Sequence, residues 1–155
     1  MATYYFTLSP DRLPKTEEER QAHLLKARAE LEEARRKRAQ WEDQFSRLMR
    51  MREEASGIEE FGDLALASER YETAIAFGVS CSLNPMDYYG CWERLLVIYR
   101  KLKRYADEER VILAMLAVCV SRSEKAPDYF GRKIEKLEAR LVKCRTLLSK
   151  SQSDE

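Results

Sequence analysis

The stretch that decides the fold runs from Trp92 to Tyr105 and reads WERLLVIYRKLKRY. Trp92, Leu95 and Tyr99 recur at spacings of three and four residues, which places them on one face of an α-helix. The apolar pattern stops across residues 101–104, and Tyr105 opens a second apolar run. The stretch therefore predicts a helical hairpin whose first helix carries large core residues.

A second copy of this pattern is expected 34 residues earlier in the chain. Subtracting 34 relates Trp92 to Ile58, Leu95 to Phe61 and Tyr105 to Tyr71. With Gly62 and the run YETAI at 71–75, the pattern resembles the tetratricopeptide repeat, a 34-residue helical hairpin with W-x2-L-G-x2-Y in its first helix. The resemblance covers residues 58–120 and implies a protein-interaction module of about two degenerate repeats.

The sequence departs from the family pattern in three places. Pro85 falls one residue before the usual terminating proline, Leu96 replaces the family glycine, and Glu108 stands where a small alanine is usual. An ordinary antiparallel helical bundle with aromatic core stripes therefore stays open as the alternative fold.

Composition limits the class of protein. The 155 residues suffice for one well-buried domain, and 35% charged residues with only five glycines favour long helices. A formal charge of +1 gives no overall attraction to nucleic acid or membrane, and no apolar run is long enough to span a bilayer. No signal peptide is visible, and four widely spaced cysteines without a C-x-x-C pair fit reduced thiols, so we expect a cytoplasmic location.

The predicted architecture is all-α and forms one compact domain. In chain order the predicted elements are an extended segment over 1–14 docked along the domain, a long amphipathic helix over 15–56, two hairpins over 57–121 (helices 58–67, 69–82, 87–101 and 104–121), and a C-terminal capping helix over 127–150. Thr16 and Glu19 form a capping box at the start of the long helix. A Ser-x-x-Glu run from Ser56 to Glu59, with Gly57 inside it, predicts the end of that helix and the start of the first hairpin.

The long helix carries a heptad pattern. Starting at Leu24, eight of the ten a and d positions up to Ala55 are apolar, which is typical of a helix that faces another helix. The end richest in large residues, Trp41 to Met51, is expected to pack on the hairpins. Self-association through residues 16–55 is therefore a possible partner interaction.

The resemblance also implies a binding site. Tetratricopeptide ligands lie in the groove between first helices, at repeat positions 2, 5, 9 and 12, which fall here on or beside eight candidate partner-binding residues. These are Glu59, Asp63, Leu66, Glu93, Arg94, Val97, Arg100 and Lys101. Because acidic residues stand where the family's carboxylate clamp needs lysine and asparagine, an acidic chaperone tail is disfavoured, and a peptide of mixed charge fits better. A groove filled by the long helix remains the alternative.

The last helix offers a second hypothesis. Arg132, Lys136, Arg140 and Lys143 follow one another at spacings of three or four residues and form a basic stripe. Such a stripe could contact the phosphates of a nucleic acid, an acidic partner, or only solvent. Nucleic-acid binding is therefore the alternative to protein docking.

No catalytic, cofactor or metal motif is present in the sequence. The chain has no G-x-S-x-G, no phosphate-binding glycine loop and no H-E-x-x-H, and it contains a single histidine, His23. Carboxylate pairs such as Glu108 and Glu109 lie in polar runs, where nothing is expected to shift their pKa values. We therefore expect a non-enzymatic adaptor or scaffold without a cofactor.

Overall fold

The computed structural model describes residues 16–154, which form five α-helices and no strand. The helices are α1 (Glu17–Phe61), α2 (Leu64–Ser80), α3 (Pro85–Lys101), α4 (Tyr105–Arg122) and α5 (Pro127–Ser153). The predicted all-α class, with a long first helix, helical hairpins and a C-terminal helix, is confirmed. The extended segment predicted over 1–14 lies outside the described residues.

The start of α1 follows the prediction, but its end does not. Thr16 and Glu19 exchange the two hydrogen bonds of a capping box, at 3.3 and 3.1 Å. The predicted break at Gly57 is wrong, because α1 continues through Gly57 to Phe61. The actual break is at Gly62, whose φ of +97° ends the helix in a conformation that glycine adopts without strain.

Asp63 then begins the next helix. Its side chain accepts a hydrogen bond from the Leu66 amide at 3.1 Å, as an N-cap of α2. The first hairpin therefore consists of the end of α1 and the whole of α2. The separate helix predicted at 58–67 does not exist, and the helix predicted at 69–82 corresponds to α2, which begins at Leu64 and ends at Ser80.

The helix boundaries do not recur at the predicted spacing of 34 residues. The ends of α1 and α3 lie 40 residues apart, the starts of α2 and α4 lie 41 apart, and the starts of α3 and α5 lie 42 apart. Helices of 17 or 18 residues make the unit longer than the family's. Consequently Phe61, which the register equated with Leu95, is 93% exposed at a helix end, whereas Leu95 is fully buried in the middle of α3.

The described residues divide into two compact units, with the boundary between Asp43 and Gln44. The physical reason is visible in the burial pattern, since no residue from 16 to 43 is buried and the first buried side chain of α1 is Leu48. Trp41, expected to pack, is 45% exposed. We refer to residues 17–43 as the N-terminal segment of α1 and to residues 44–154 as the helical core.

The helical core is held by large side chains from every helix. Leu48 of α1, Tyr71 of α2, Leu95 of α3 and Met115 of α4 are all at most 2% exposed. Trp92 contacts the rings of Tyr88 and Tyr89 edge to face. Together with the apolar residues of α5, they form one continuous cluster.

Three glutamates of the core each accept hydrogen bonds from side chains of two other helices. The first, Glu59 of α1, accepts hydrogen bonds from Tyr71 of α2 and Arg94 of α3. The second, Glu72 of α2, accepts from Tyr99 of α3 and Arg110 of α4. A third carboxylate, on α4, joins α3 and α5 and is described below.

Candidate functional site

A groove lies between α3 and α5 on the surface of the helical core. It encloses a cavity of about 440 Å³. Its lining is Tyr89, Glu93, Arg94, Leu96 and Val97 of α3, Met115 of α4, and Lys133, Lys136, Leu137 and Arg140 of α5. We call this the α3–α5 groove.

The floor of the α3–α5 groove is apolar. Leu96, Met115 and Leu137 are almost fully buried, and Val97 is half-buried, so this one valine gives the floor partial access to solvent. Glu93 and Val97 are four residues apart on α3 and therefore share a helix face. The floor can bury an apolar group of a ligand, which is the usual source of binding free energy in such pockets.

The α5 wall of the groove carries two lysines. Lys133 lies 4.6 Å from the centre of the Tyr89 ring and 5.1 Å from that of Tyr129, so two aromatic faces hold its ammonium group. Lys136 is exposed. Within residues 16–154 neither lysine forms an ion pair, and both charges are therefore available to a bound anion.

Arg140 of the groove lining and Arg100, which lies outside it, share one buried carboxylate. Glu108 of α4 is fully buried and accepts hydrogen bonds from Arg100 of α3 at 2.7–3.1 Å and from Arg140 of α5 at 2.9 Å. Arg140 also donates to the Leu96 carbonyl at 2.8 Å. Although Glu108 lies in a polar run of the sequence, its side chain is fully buried and has two guanidinium partners.

Cys144 lies beside this buried network. Its thiol donates to the Tyr105 carbonyl at 3.3 Å, and burial raises its pKa to about 11. A thiol with such a pKa is almost entirely protonated at neutral pH, so Cys144 is a packing residue rather than a nucleophile.

A smaller cavity of about 280 Å³ adjoins the groove on the side of α1. It is lined by Ser56, Glu59, Glu60, Leu64, Arg94 and Lys101. Arg94 lines both cavities, so they share a wall. The hydrogen bond from Arg94 lowers the pKa of Glu59, and the same bond raises the pKa of Arg94, so both groups are charged at neutral pH.

The structure brings together two sets of residues that the sequence assigned to rival hypotheses. Glu93, Arg94 and Val97, expected in a protein-binding groove, face Lys136 and Arg140 of the predicted basic stripe. Glu59 and Lys101 line the adjoining cavity. The lining of the α3–α5 groove comes from α3, α4 and α5.

Other predicted site residues have structural positions instead. Asp63 is the N-cap of α2, and the Leu66 amide donates the capping hydrogen bond to it. Arg100 binds buried Glu108. The basic stripe is interrupted, because Arg140 lies between buried Leu137 and Leu141 and turns inward to Glu108. Outside the groove lining, the remaining members of the stripe are exposed: these are Arg132 and Lys143.

Sequence reasoning missed five groove residues. They line the cavity but belong to no predicted site: Tyr89, Leu96, Met115, Lys133 and Leu137. Leu137 could have been placed, because it belongs to the apolar stripe of α5 that packs on α4. Lys133 could not, since its position depends on two rings from different helices.

The described residues contain neither a cluster of metal ligands nor a membrane-spanning helix. Between residues 16 and 154, no group of three histidine, cysteine, aspartate or glutamate side chains is arranged to hold a metal ion. In the same range, every helix is too short or too polar to cross a bilayer.

Comparison with known proteins identifies no family for this chain. No protein-family model matches the chain, and no curated protein or solved structure is significantly similar to it. The composition of the α3–α5 groove is therefore the observation that bears on function.

Proposed function

We propose that this chain is a non-enzymatic adaptor or scaffold that docks a peptide segment of a partner protein in the α3–α5 groove. The observation that carries the proposal is the groove's composition, an apolar floor beside two lysines without ion pairs. A floor of this kind accepts an apolar side chain, and the lysines orient a neighbouring carboxylate.

The chemistry favours a segment that combines an apolar anchor with acidic residues. Lys133 and Lys136 lie on the α5 wall, whereas Glu93 is the one acidic residue of the lining. Arg94 and Arg140 are already neutralised by Glu59 and Glu108. The available charge is thus positive on the α5 side and negative on the α3 side, which favours a segment whose acidic end faces α5.

The tetratricopeptide resemblance supports this mode of action only in outline. Alternate helices form the groove, as in that family, but the unit of 40–42 residues differs from the family's 34. Four free cysteines fit a reducing compartment, and we place the protein in the cytoplasm on that ground.

A displayed peptide library tests the proposal directly. The whole chain is used to select peptides, and their binding is then measured to Lys136→Glu and Val97→Glu variants. We expect selected peptides to be rich in acidic and apolar residues and to lose at least about tenfold in affinity for either variant.

Lys143→Glu is the matched control. It makes the same charge change on the same helix at an exposed position outside the groove lining. Equal losses with Lys136→Glu and Lys143→Glu would contradict groove binding. Retention of the chain on duplex DNA, lost steeply with salt and abolished by neutralising Arg132 and Lys143, would favour the nucleic-acid alternative instead.

A further inference from the structure

The N-terminal segment of α1 exposes apolar side chains along its length. Leu24, Leu31 and Trp41 are 53%, 50% and 45% exposed, and every residue from 16 to 43 is exposed except half-buried Glu33. Large apolar residues at regular spacing on a solvated helix mark an interaction surface. The segment therefore exposes an apolar face along its own helix.

That face follows a heptad repeat. With Leu24 at position a, the a and d positions of the segment are Leu24, Ala27, Leu31, Ala34, Arg38 and Trp41. Five of these six are apolar, and the exception, Arg38, bonds Glu42 of its own helix at 3.1 Å. A single polar residue at an a position is a known device that fixes register and strand number in two-stranded coiled coils.

The flanking charges are complementary to those of a second, parallel copy. In a parallel pair, each g residue faces the e residue five positions later on the other helix. Glu30 then faces Arg35, and Lys37 faces Glu42; by symmetry each attraction forms twice. Within residues 16–154 Glu30 and Arg35 have no ion pair, so a second copy supplies a partner that the single chain does not.

We propose that residues 17–43 form a parallel two-stranded coiled coil with a second copy of this chain, in register through Leu24, Leu31 and Trp41. The ion pairs Glu30–Arg35 and Lys37–Glu42 between copies set the orientation. This association is independent of the α3–α5 groove, which lies in the other compact unit. It would present two grooves on one assembly.

Sedimentation of the full chain across a concentration series tests the association. We expect the mass to rise with concentration from that of one chain, 18.2 kDa, towards that of two. The double variant Leu24→Glu with Leu31→Glu should remain monomeric at every concentration. Leu25→Glu is the matched control, because Leu25 is 65% exposed but lies at position b, outside the stripe.

Charge exchange tests the orientation. Glu30→Arg turns two attractions into repulsions and should weaken association about tenfold, and adding Arg35→Glu to the same chain should restore it to within about threefold. A cysteine at Ala27, position d, should cross-link two copies on oxidation, whereas one at Ala29, on the outer face, should not.

Several outcomes would overturn the proposal. They are a wild-type mass of one chain at all concentrations, a Leu25→Glu variant as monomeric as the double variant, and a double charge exchange that fails to restore association. Far-UV circular dichroism of each variant separates lost association from lost helix. Peptide binding in the groove is measured separately, so failure of either proposal leaves the other testable.

Discussion

The buried carboxylate of Glu108 offers the sharpest test of the folded core. Glu108→Gln keeps the shape of the side chain but removes its charge. In the wild-type protein this fully buried group accepts three hydrogen bonds from Arg100 and one from Arg140. The amide of glutamine offers a single acceptor oxygen, so its NH2 group must face a guanidinium.

The expected cost follows from these contacts. At least one charge-assisted hydrogen bond is lost, worth about 1.5–3 kcal/mol, and two cations lose their counter-charge. Arg100 and Arg140 are 24% and 31% exposed, so water compensates part of that loss. We therefore expect the free energy of unfolding to fall by about 2–4 kcal/mol, equivalent to about 4–16 °C in Tm for a chain of this length.

Chemical denaturation followed by circular dichroism measures the change, with Glu109→Gln as the matched control. Glu109 is the next residue of α4 and forms an ion pair with Arg145, but the two side chains are 28% and 57% exposed. Because exposed pairs contribute little, Glu109→Gln should cost at most about 1 kcal/mol. Costs for the two variants within about 0.5 kcal/mol of each other would refute the buried network.

Three further predictions follow from the fold. Gly57→Ala should raise the free energy of unfolding by about 0.5–1 kcal/mol in thermal melts, because Gly57 lies inside α1 with no neighbour within 4 Å of an added Cβ; destabilisation would indicate the helix break that we reject. Folding lowers the pKa of Glu59 from its ordinary value of 4.5. The charged carboxylate therefore stabilises the protein fully at pH values above 4.5, and this stabilisation is lost as the pH falls through the folded-state pKa. The stability difference between wild type and Glu59→Gln should therefore be constant from pH 7 to about 6 and shrink below about pH 4.5, and a pH-independent difference would contradict it. Iodoacetamide at pH 8 should modify half-buried Cys81 first, because Cys91 is fully buried and burial raises its pKa to about 11; equal rates by mass spectrometry would contradict this.

The helix starts that local chemistry determines were predictable from the sequence. Pro127 opens α5 at the predicted residue. Asn84 caps α3 by accepting a bond from the Met86 amide at 3.0 Å, so that α3 starts at Pro85, two residues before the predicted start at 87. Thr16 and Glu19 form the predicted box. These signals need only neighbours in the chain, so they can be read without the fold.

The errors arose where tertiary contacts override a local signal. Ser56 and Glu59 have the spacing of a capping box, yet Glu59 instead binds Tyr71 and Arg94, and α1 continues past Gly57. The stop signal that the structure uses, Gly62 followed by Asp63, was present in the sequence but was assigned to repeat positions.

The α3–α5 groove was predictable only in part, for the same reason. The helix face that carries Glu93 and Val97 follows from α-helical spacing, and so does the row of basic residues on α5. That these two faces oppose one another depends on how α4 packs between them, and the inward turn of Arg140 depends on buried Glu108. Neither is encoded by spacing within one helix.

The most direct test of groove docking is a methyl spectrum of the methionines during titration with a library-selected peptide. Met115 lies in the floor of the α3–α5 groove, whereas Met49 and Met51 belong to α1 and lie outside the lining. We predict that the Met115 signal shifts on binding, that those of Met49 and Met51 do not, and that Val97→Glu abolishes the shift. A peptide that binds while Met115 stays unchanged and another methionine shifts would contradict the proposed function.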